Sequence, residues 1–328
     1  MLKVVLLGWG TNASDLLERL VAEPGYDVVG VVPRVAQSTV PSDVEFLSLL
    51  PTRATELSVP IYATDNVNHP SFVEELKRLE SELLINWGHN QLFGKPLLAA
   101  AKNGCANIHP GLLPYGRGSG AVFGEVMNGR YTVGQTIHLM DETFDGGEIV
   151  LQRSFTLKGS EYLDEINELF QKDIVEFYFE ALERIRQAQA TRKVEGFGTY
   201  YPRMAQGDGI IDWSLVSEDI LKRIQLRSPT IPSITFLEKT WREVHLWRVE
   251  RSDVEHYRST PGQILFRDPD KGILVKTGDG AVWVTQISEP GGEWHRPNFP
   301  IGTTFVNNWI QEIRRLREEL GVARRVGK

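Results

Sequence analysis

A histidine, a carboxamide and a carboxylate brought together by a sheet would make a centre for acyl transfer. Asn107 and His109 stand two positions apart in the segment Asn107-Ile108-His109-Pro110-Gly111-Leu112-Leu113-Pro114-Tyr115-Gly116-Arg117-Gly118, and Asp145-Gly146-Gly147 begins 36 positions after His109. In such a set the imidazole handles protons, the amide hydrogen-bonds a developing oxyanion, and the acid orients and tunes the imidazole. A second polar cluster, Gly134-Gln135-Thr136-Ile137-His138-Leu139-Met140, lies between them and runs into Asp141 and Glu142. An isolated Asn-x-His pair is more often structural than catalytic, and Asp145-Gly146 alone reads as turn chemistry. Their order and spacing taken together point to catalysis.

The elements that must position these groups can be read from periodicity. Residues 2–8 are a short apolar run ending in glycine, a buried strand, and Asn12 can cap a helix that carries Leu16, Leu17, Leu20 and Val21 on one face. Strands are expected at 27–32, 83–87 and 105–109, with helices at about 70–80 and 94–102 and a long loop over 35–58. This rhythm implies a Rossmann-like, doubly wound parallel sheet with helices on both faces. Alternation puts Asn107 and His109 on one side of their strand, at its C-terminal end, where open α/β sheets bind ligands. Two further strands at about 133–140 and 148–155 precede one long helix near 160–189.

After this the texture changes. A polar, glycine-rich linker at 191–210 separates a catalytic domain (1–190) from a β-rich, barrel-like domain (211–328), with strands such as 244–249, 272–276 and 281–287 and a terminal helix at about 304–320.

The chain has 328 residues, 41% apolar and 24% charged, which suits an ordinary globular protein of two domains. No apolar run approaches a membrane span, no signal peptide is visible, and a cytoplasmic location is expected. The single Cys105 excludes an internal disulfide and any multi-cysteine metal site; it reads as a buried small apolar residue. Residues 1–206 hold 18 Lys and Arg against 26 Asp and Glu, and residues 207–328 hold 18 against 17. An acidic front half does not suit a general nucleic-acid binder, which needs a clustered positive face.

The ordered motifs Asn-x-His-Pro-x-Leu-Leu-Pro-x-x-x-Gly, Gly-x-Thr-x-His-x-Met and Asp-x-Gly resemble the signature of folate-dependent formyltransferases. Ile211-Asp212-Trp213-Ser214, Pro261-Gly262-Gln263-Ile264 and Thr277-Gly278-Asp279-Gly280 extend the resemblance to the C-terminal domain of such enzymes, so that it covers nearly the whole chain. The resemblance implies transfer of a formyl group from 10-formyltetrahydrofolate to a primary amine, with Asn107, His109 and Asp145 as the catalytic trio and no metal. It also implies a folate site bracketed by the strand ending at Trp87, the loop Gly88, His89 and Asn90, and residues Leu139, Met140 and Asp141. Gly10, Arg117 and Gly118 are expected to meet the acceptor.

Gly8-Trp9-Gly10-Thr11-Asn12-Ala13 also fits a dinucleotide-binding fingerprint, which would suggest an NADP-dependent oxidoreductase. The second strand, however, ends in Val32-Pro33-Arg34 without the acidic residue that holds ribose hydroxyls, although Arg34 could suit a 2′-phosphate. A tight turn between strand and helix is the simpler reading.

The acceptor amine is a separate question. Methionyl-tRNA formyltransferases carry a basic insertion after the second strand, whereas here the stretch 35–58 has Arg53 as its only basic residue, beside Asp43, Glu45 and Glu56. Holding tRNA relies on neutralising phosphates, so this departure counts against it. The basic tail, from Arg314 to Lys328, is interleaved with Glu312, Glu318 and Glu319 and reads as a mixed-charge surface. A small amine, most simply a nucleotide-linked amino sugar, is therefore expected, with methionyl-tRNA as the alternative acceptor and formyl transfer to water as a third reading. A homodimer is compatible with all of these.

Overall fold

Every short apolar run read as a buried strand is one. The computed structural model describes residues 1–34, 41–89, 91–204 and 206–306, with the backbone alone at 41–44 and 206. In chain order the first elements are β1 (Leu2–Gly8), α1 (Gly10–Val21), β2 (Tyr26–Pro33), α2 (Pro41–Glu56), α3 (Pro70–Arg78), β3 (Leu83–Trp87), α4 (Lys95–Leu98) and β4 (Cys105–His109). They are followed by α5 (Ala121–Met127), β5 (Thr132–Leu139), β6 (Glu148–Thr156), α6 (Leu163–Gln171), α7 (Ile174–Arg186) and β7 (Arg192–Lys193).

The seven strands form one sheet in the order β2-β1-β3-β4-β5-β6-β7. β2, β1, β3 and β4 are parallel, and β5, β6 and β7 follow, each antiparallel to the strand before it in the sheet. The sheet is thus mixed, with the parallel part where alternation of strand and helix demands it. Both faces are covered. Leu16, Leu17 and Leu20 of α1 and Phe177, Tyr178, Ala181 and Leu182 of α7 pack on one face, while Phe72, Val73 and Leu76 of α3 and Leu97 of α4 pack on the other. Burying each such leucine contributes about 1.5–3 kcal/mol.

Several boundaries differ from the sequence expectation. The segment 35–58 is not a long loop, because 41–56 is helical, with Leu50 and Ala54 one turn apart and fully buried. Pro41 and Pro51 disguise it: the first sits where a helix needs no N–H, and the second interrupts the ladder inside it. The expected long helix near 160–189 is two helices, divided where Asp173 takes a left-handed conformation (φ 49°). Asn12 caps nothing; α1 starts at Gly10, and Asn12 donates its side-chain N–H to Gln171 Oε1 (2.7 Å).

Contacts divide the chain into two compact units. One comprises Met1–Glu125, Thr132–Thr156 and Leu169–Arg203; the other comprises Val126–Tyr131, Leu157–Glu168 and Met204–Lys328. The segment expected as a linker therefore belongs, up to Arg203, with the first unit.

The second unit contains α8 (Ser217–Gln225) and strands β8 (Ser233–Phe236), β9 (Glu243–Glu255), β10 (Ile264–Asp268), β11 (Gly272–Lys276) and β12 (Gly280–Ser288), in the sheet order β10-β11-β12-β9-β8. Residues 303–306 close this sheet. Ile264 N donates to Thr303 O (2.8 Å) and Phe305 N to Gly262 O (2.9 Å) at one edge. At the other, Glu238 N donates to Thr304 O (3.0 Å) and Val306 N to Phe236 O (2.8 Å). Pairing both edges with one segment gives the expected barrel and leaves neither edge bare. Residues 304–306 are thus extended and not the start of a helix; the rest of the expected terminal helix lies outside the described residues. Among the described residues, no helix is long and apolar enough to cross a membrane.

Candidate active site

The sheet register builds the site. Asn86 of β3 stands beside Asn107 of β4, which stands opposite His138 of β5, so three polar side chains form one row across three strands. Asn86 Nδ2 donates to Asn107 Oδ1 (2.8 Å), and Asn107 Nδ2 meets His138 Nε2 at 3.1 Å. His138 Nδ1 lies 2.7 Å from the Gly146 carbonyl. Tyr178 secures the row from behind, its hydroxyl reaching the carbonyls of Asn86 (2.9 Å) and Ala106 (2.7 Å).

His109 ends β4, two residues beyond Asn107, and is buried. Its Nε2 donates to the Gly116 carbonyl (2.6 Å), and its Nδ1 stands 3.4 Å from Asp145 Oδ1. Both ring nitrogens thus face acceptors, the arrangement that holds an imidazolium. The other Asp145 oxygen accepts from Gly118 N (2.6 Å). Asp145 itself is left-handed (φ 47°), which a short polar side chain tolerates. Gly147 follows at φ 87°, where a Cβ would strike the Leu139 carbonyl. The spacing of 36 residues becomes a contact because β5 and the turn after it carry Asp145 back to the loop that follows His109.

That loop is held rigidly. Thr136 Oγ1 donates to Gly111 O (2.6 Å), and Gln152 Nε2 donates to Leu113 O (3.0 Å). Residues 198–202 strap its far side: Arg117 N donates to Thr199 O (2.9 Å), Tyr201 N to Arg117 O (2.8 Å), and Gly116 N to Thr199 Oγ1 (2.8 Å). Gly118 (φ 86°) must be glycine here, since a Cβ would fall on the Tyr201 carbonyl.

A cavity of about 390 Å³, within the usual range for small-molecule sites, is lined by Asn107, His109 and Asp145. Gly88, His89, Met140, Asp141 and Gly118 also line it. Trp87 does not; it is core, its ring 5.2 Å from that of Tyr178. Leu139 and Arg117 line an adjoining cavity of about 510 Å³ together with Lys193. Gly10 lines neither, because the Phe46 ring covers it, and Asn90 lies outside the described residues. Gly8 serves packing: a Cβ there would come within 2.8 Å of the Trp87 carbonyl. Cys105 is fully buried, and burial pushes its thiol up.

The sequence reading passed over Asn86 and Tyr200. Asn86 carried a signal, a lone amide inside the apolar strand Leu83–Trp87. Tyr200, which lines the cavity about half-exposed with its ring 6.1 Å from that of Phe144, carried none, since its segment reads as a linker.

Two imidazoles are held neutral. Burial pushes His138 down from 6.5 to about 4, with the charge of His109 adding and that of Asp145 opposing. His89 is pushed down to about 4 by burial and by the charge of Arg34. Between pH 6.5 and 4 the unfolded chain therefore binds protons that the folded protein refuses, so stability must fall as the pH drops through that window. Urea midpoints measured from about pH 7 to 4 should show this fall, and His138→Gln and His89→Gln should each flatten it. An unchanged slope in both variants would mean that neither imidazole is depressed. Among the described residues no group of three His, Cys, Asp or Glu side chains is disposed to hold a metal.

Comparison with known proteins agrees with this architecture. Residues 2–182 match the family described as formyl transferase, and residues 203–297 match the formyl transferase C-terminal domain. The methionyl-tRNA formyltransferase of Roseiflexus castenholzii is 30% identical over 298 residues, covering 89% of this chain and 92% of that protein. The one from Thermotoga maritima is 28% identical over 298 residues, covering 88% and 91%. Among solved structures, the N-formyltransferase from Helicobacter canadensis in complex with folinic acid and dTDP-3-aminofucose superposes with a TM-score of 0.65 at 18% identity, covering 87% of this chain and 99% of that one.

Proposed function

This chain belongs to the formyl transferase family and is a formyl-transferring enzyme, and on that footing we propose that it moves the formyl group of 10-formyltetrahydrofolate to the primary amine of a nucleotide-linked amino sugar. The observation that carries the reading is the convergence of Asn107, His109 and Asp145 on one cavity. The acceptor amine attacks, as the free base, the formyl carbon of the donor. A C–N bond forms, the carbonyl oxygen takes up negative charge, and the intermediate collapses as the bond to the folate nitrogen breaks. Asn107 donates an N–H to the oxyanion, and His109 supports it as an imidazolium held by Asp145. Asp145 and His109 pass the proton lost by the amine to the departing nitrogen. Because Nε2 of His109 rests on the Gly116 carbonyl, that bond must be exchanged, or the ring turned, for His109 to reach the reacting atoms. As written, the route uses neither a metal nor a covalent enzyme intermediate. Gly88, His89, Gln91 and Leu92 on one loop and Met140, Asp141, Thr143 and Phe144 on another line the cavity and would receive the pterin.

Three observations support a small anionic acceptor. Arg53 forms ion pairs with Glu18 and Glu56, both at 2.8 Å, so the one basic side chain of the segment 35–58 is already neutralised. Arg117 and Lys193 line the adjoining cavity, and Arg117 Nε is buried without a hydrogen-bond partner among the described residues. A Lys and an Arg at one cavity suit a phosphate group. The Helicobacter canadensis structure pairs a folate with a sugar nucleotide, which supports the same combination here.

Methionyl-tRNA is the second reading, favoured by the names of the relatives at 28–30% identity. Mass spectrometry after incubation with 10-formyltetrahydrofolate decides between them. We expect formylated nucleotide-linked amino sugar and untouched initiator methionyl-tRNA; formylated tRNA with unmodified sugars would overturn the proposed acceptor.

A further inference from the structure

We propose that Asn86 is a positioning residue that sets which way round the Asn107 carboxamide sits, keeping Nδ2, and not the oxygen, on the His138 side, where its free N–H meets the transferred formyl group. The inference rests on the role given to Asn107 above. Asn86 is buried, and both ends of its amide are committed. Its Oδ1 accepts from the backbone N–H of His89 (3.1 Å), a group that can only donate. Its Nδ2 must therefore face Asn107, which answers with Oδ1 at 2.8 Å.

The other end of the row has the same polarity. The Gly146 carbonyl can only accept, so His138 Nδ1, at 2.7 Å, carries the ring proton. Burial and the neighbouring His109 keep the ring neutral, so Nε2 offers a lone pair to Asn107 Nδ2 at 3.1 Å. The chain of bonds runs from the His89 N–H through Asn86, Asn107 and His138 to the Gly146 carbonyl. Backbone groups at both ends dictate its direction, and neither can be turned round. The chain thus puts Asn107 Nδ2, with one N–H left over, on the His138 side and Oδ1 on the Asn86 side, in a side chain that lines the cavity. Reversing Asn107 would set donor against donor at Asn86 and acceptor against acceptor at His138.

Asn86→Asp tests this at constant shape. The introduced carboxylate can still accept from His89 N but cannot donate to Asn107, so the Asn107 amide must reverse. Its oxygen then faces His138 Nε2 and calls for a proton there. The groups around His138 are His109 and Asp145, with the Gly146 and Leu139 backbone, and burial together with the charge of His109 holds the ring itself neutral, so Nε2 keeps its lone pair against that oxygen. We expect kcat for formyl transfer at about pH 8 to fall at least roughly 10-fold, with KM for the folate donor within about 3-fold because the His89 contact survives. The deficit should narrow toward about pH 6 as the introduced carboxyl takes up a proton and regains a donor. A smaller loss, or one that does not change with pH, overturns the proposal.

Asn107→Ala measured in parallel separates the two inferences: if it keeps near-normal kcat, the role of Asn107 is wrong. If it loses activity while Asn86→Asp does not, only the role of Asn86 is wrong. Should Asn86→Asp fail to fold, ¹⁵N-histidine spectra of the wild-type protein decide, with His138 assigned by His138→Gln. A neutral ring protonated at Nδ1 from about pH 6 to 8 is the required result; the Nε2–H tautomer or an imidazolium overturns the proposal.

Discussion

Asp145→Asn lowers kcat by about 10²–10⁴-fold, the usual worth of a positioned acid–base group, while leaving the urea midpoint close to that of the unaltered protein. The substitution is chosen because it splits the two jobs of this side chain. The amide oxygen it introduces can still accept from Gly118 N, which lies 2.6 Å from Oδ2 of Asp145, so the loop after β4 keeps its anchor. What disappears is the negative charge facing His109 Nδ1 at 3.4 Å. Without it no carboxylate among the described residues stands in ion-pair contact with His109, and the proton taken from the amine loses the carboxylate it passes through. His109→Ala should cost a similar factor. The double variant should cost little more than the worse single one, because groups that act as a unit are not additive. Steady-state transfer kinetics, with circular dichroism to check the fold, are the measurements. Near-normal turnover in either single variant would sink the mechanism.

The second large effect is on stability. Trp213→Ala should destabilise the barrel by about 3–5 kcal/mol, the range for deleting a fully buried aromatic side chain. Trp213 has no exposed surface, stacks on Phe305 with centroids 5.5 Å apart and planes inclined by 15°, and donates Nε1–H to Thr235 Oγ1 at 2.9 Å. Phe305 belongs to the segment that closes the barrel edges, so the deletion opens a cavity beside the closure and removes a partner from a buried hydroxyl. Trp213→Phe should retain most of the packing and lose about 1–2 kcal/mol, mainly the hydrogen bond. Urea unfolding followed by near-ultraviolet circular dichroism reads both. If Trp213→Ala cost less than about 1 kcal/mol, this residue would not be the centre of the barrel core.

The amino-acid sequence by itself determined the strands, the shared side of one of them on which Asn107 and His109 stand, and the division into a wound α/β part and a β-rich part. These are local facts. Alternation assigns Asn107 and His109 to one face of a strand, glycine and proline mark the loop after it, and four-to-eight-residue apolar runs are buried wherever they pack. Helix 41–56 escaped because its two prolines and its serines and threonines imitate a loop, and only the pocket that accepts Leu50 and Ala54 makes it a helix. The tertiary structure alone decided what stands beside what. Periodicity says which face a residue occupies, but not which row of the neighbouring strand it meets, since register depends on both faces packing at once. The alignment of Asn86, Asn107 and His138 comes from that register. Tertiary contacts also fold residues 198–202 back onto the loop after β4, which brings Tyr200 to the cavity from a stretch whose composition reads only as a linker.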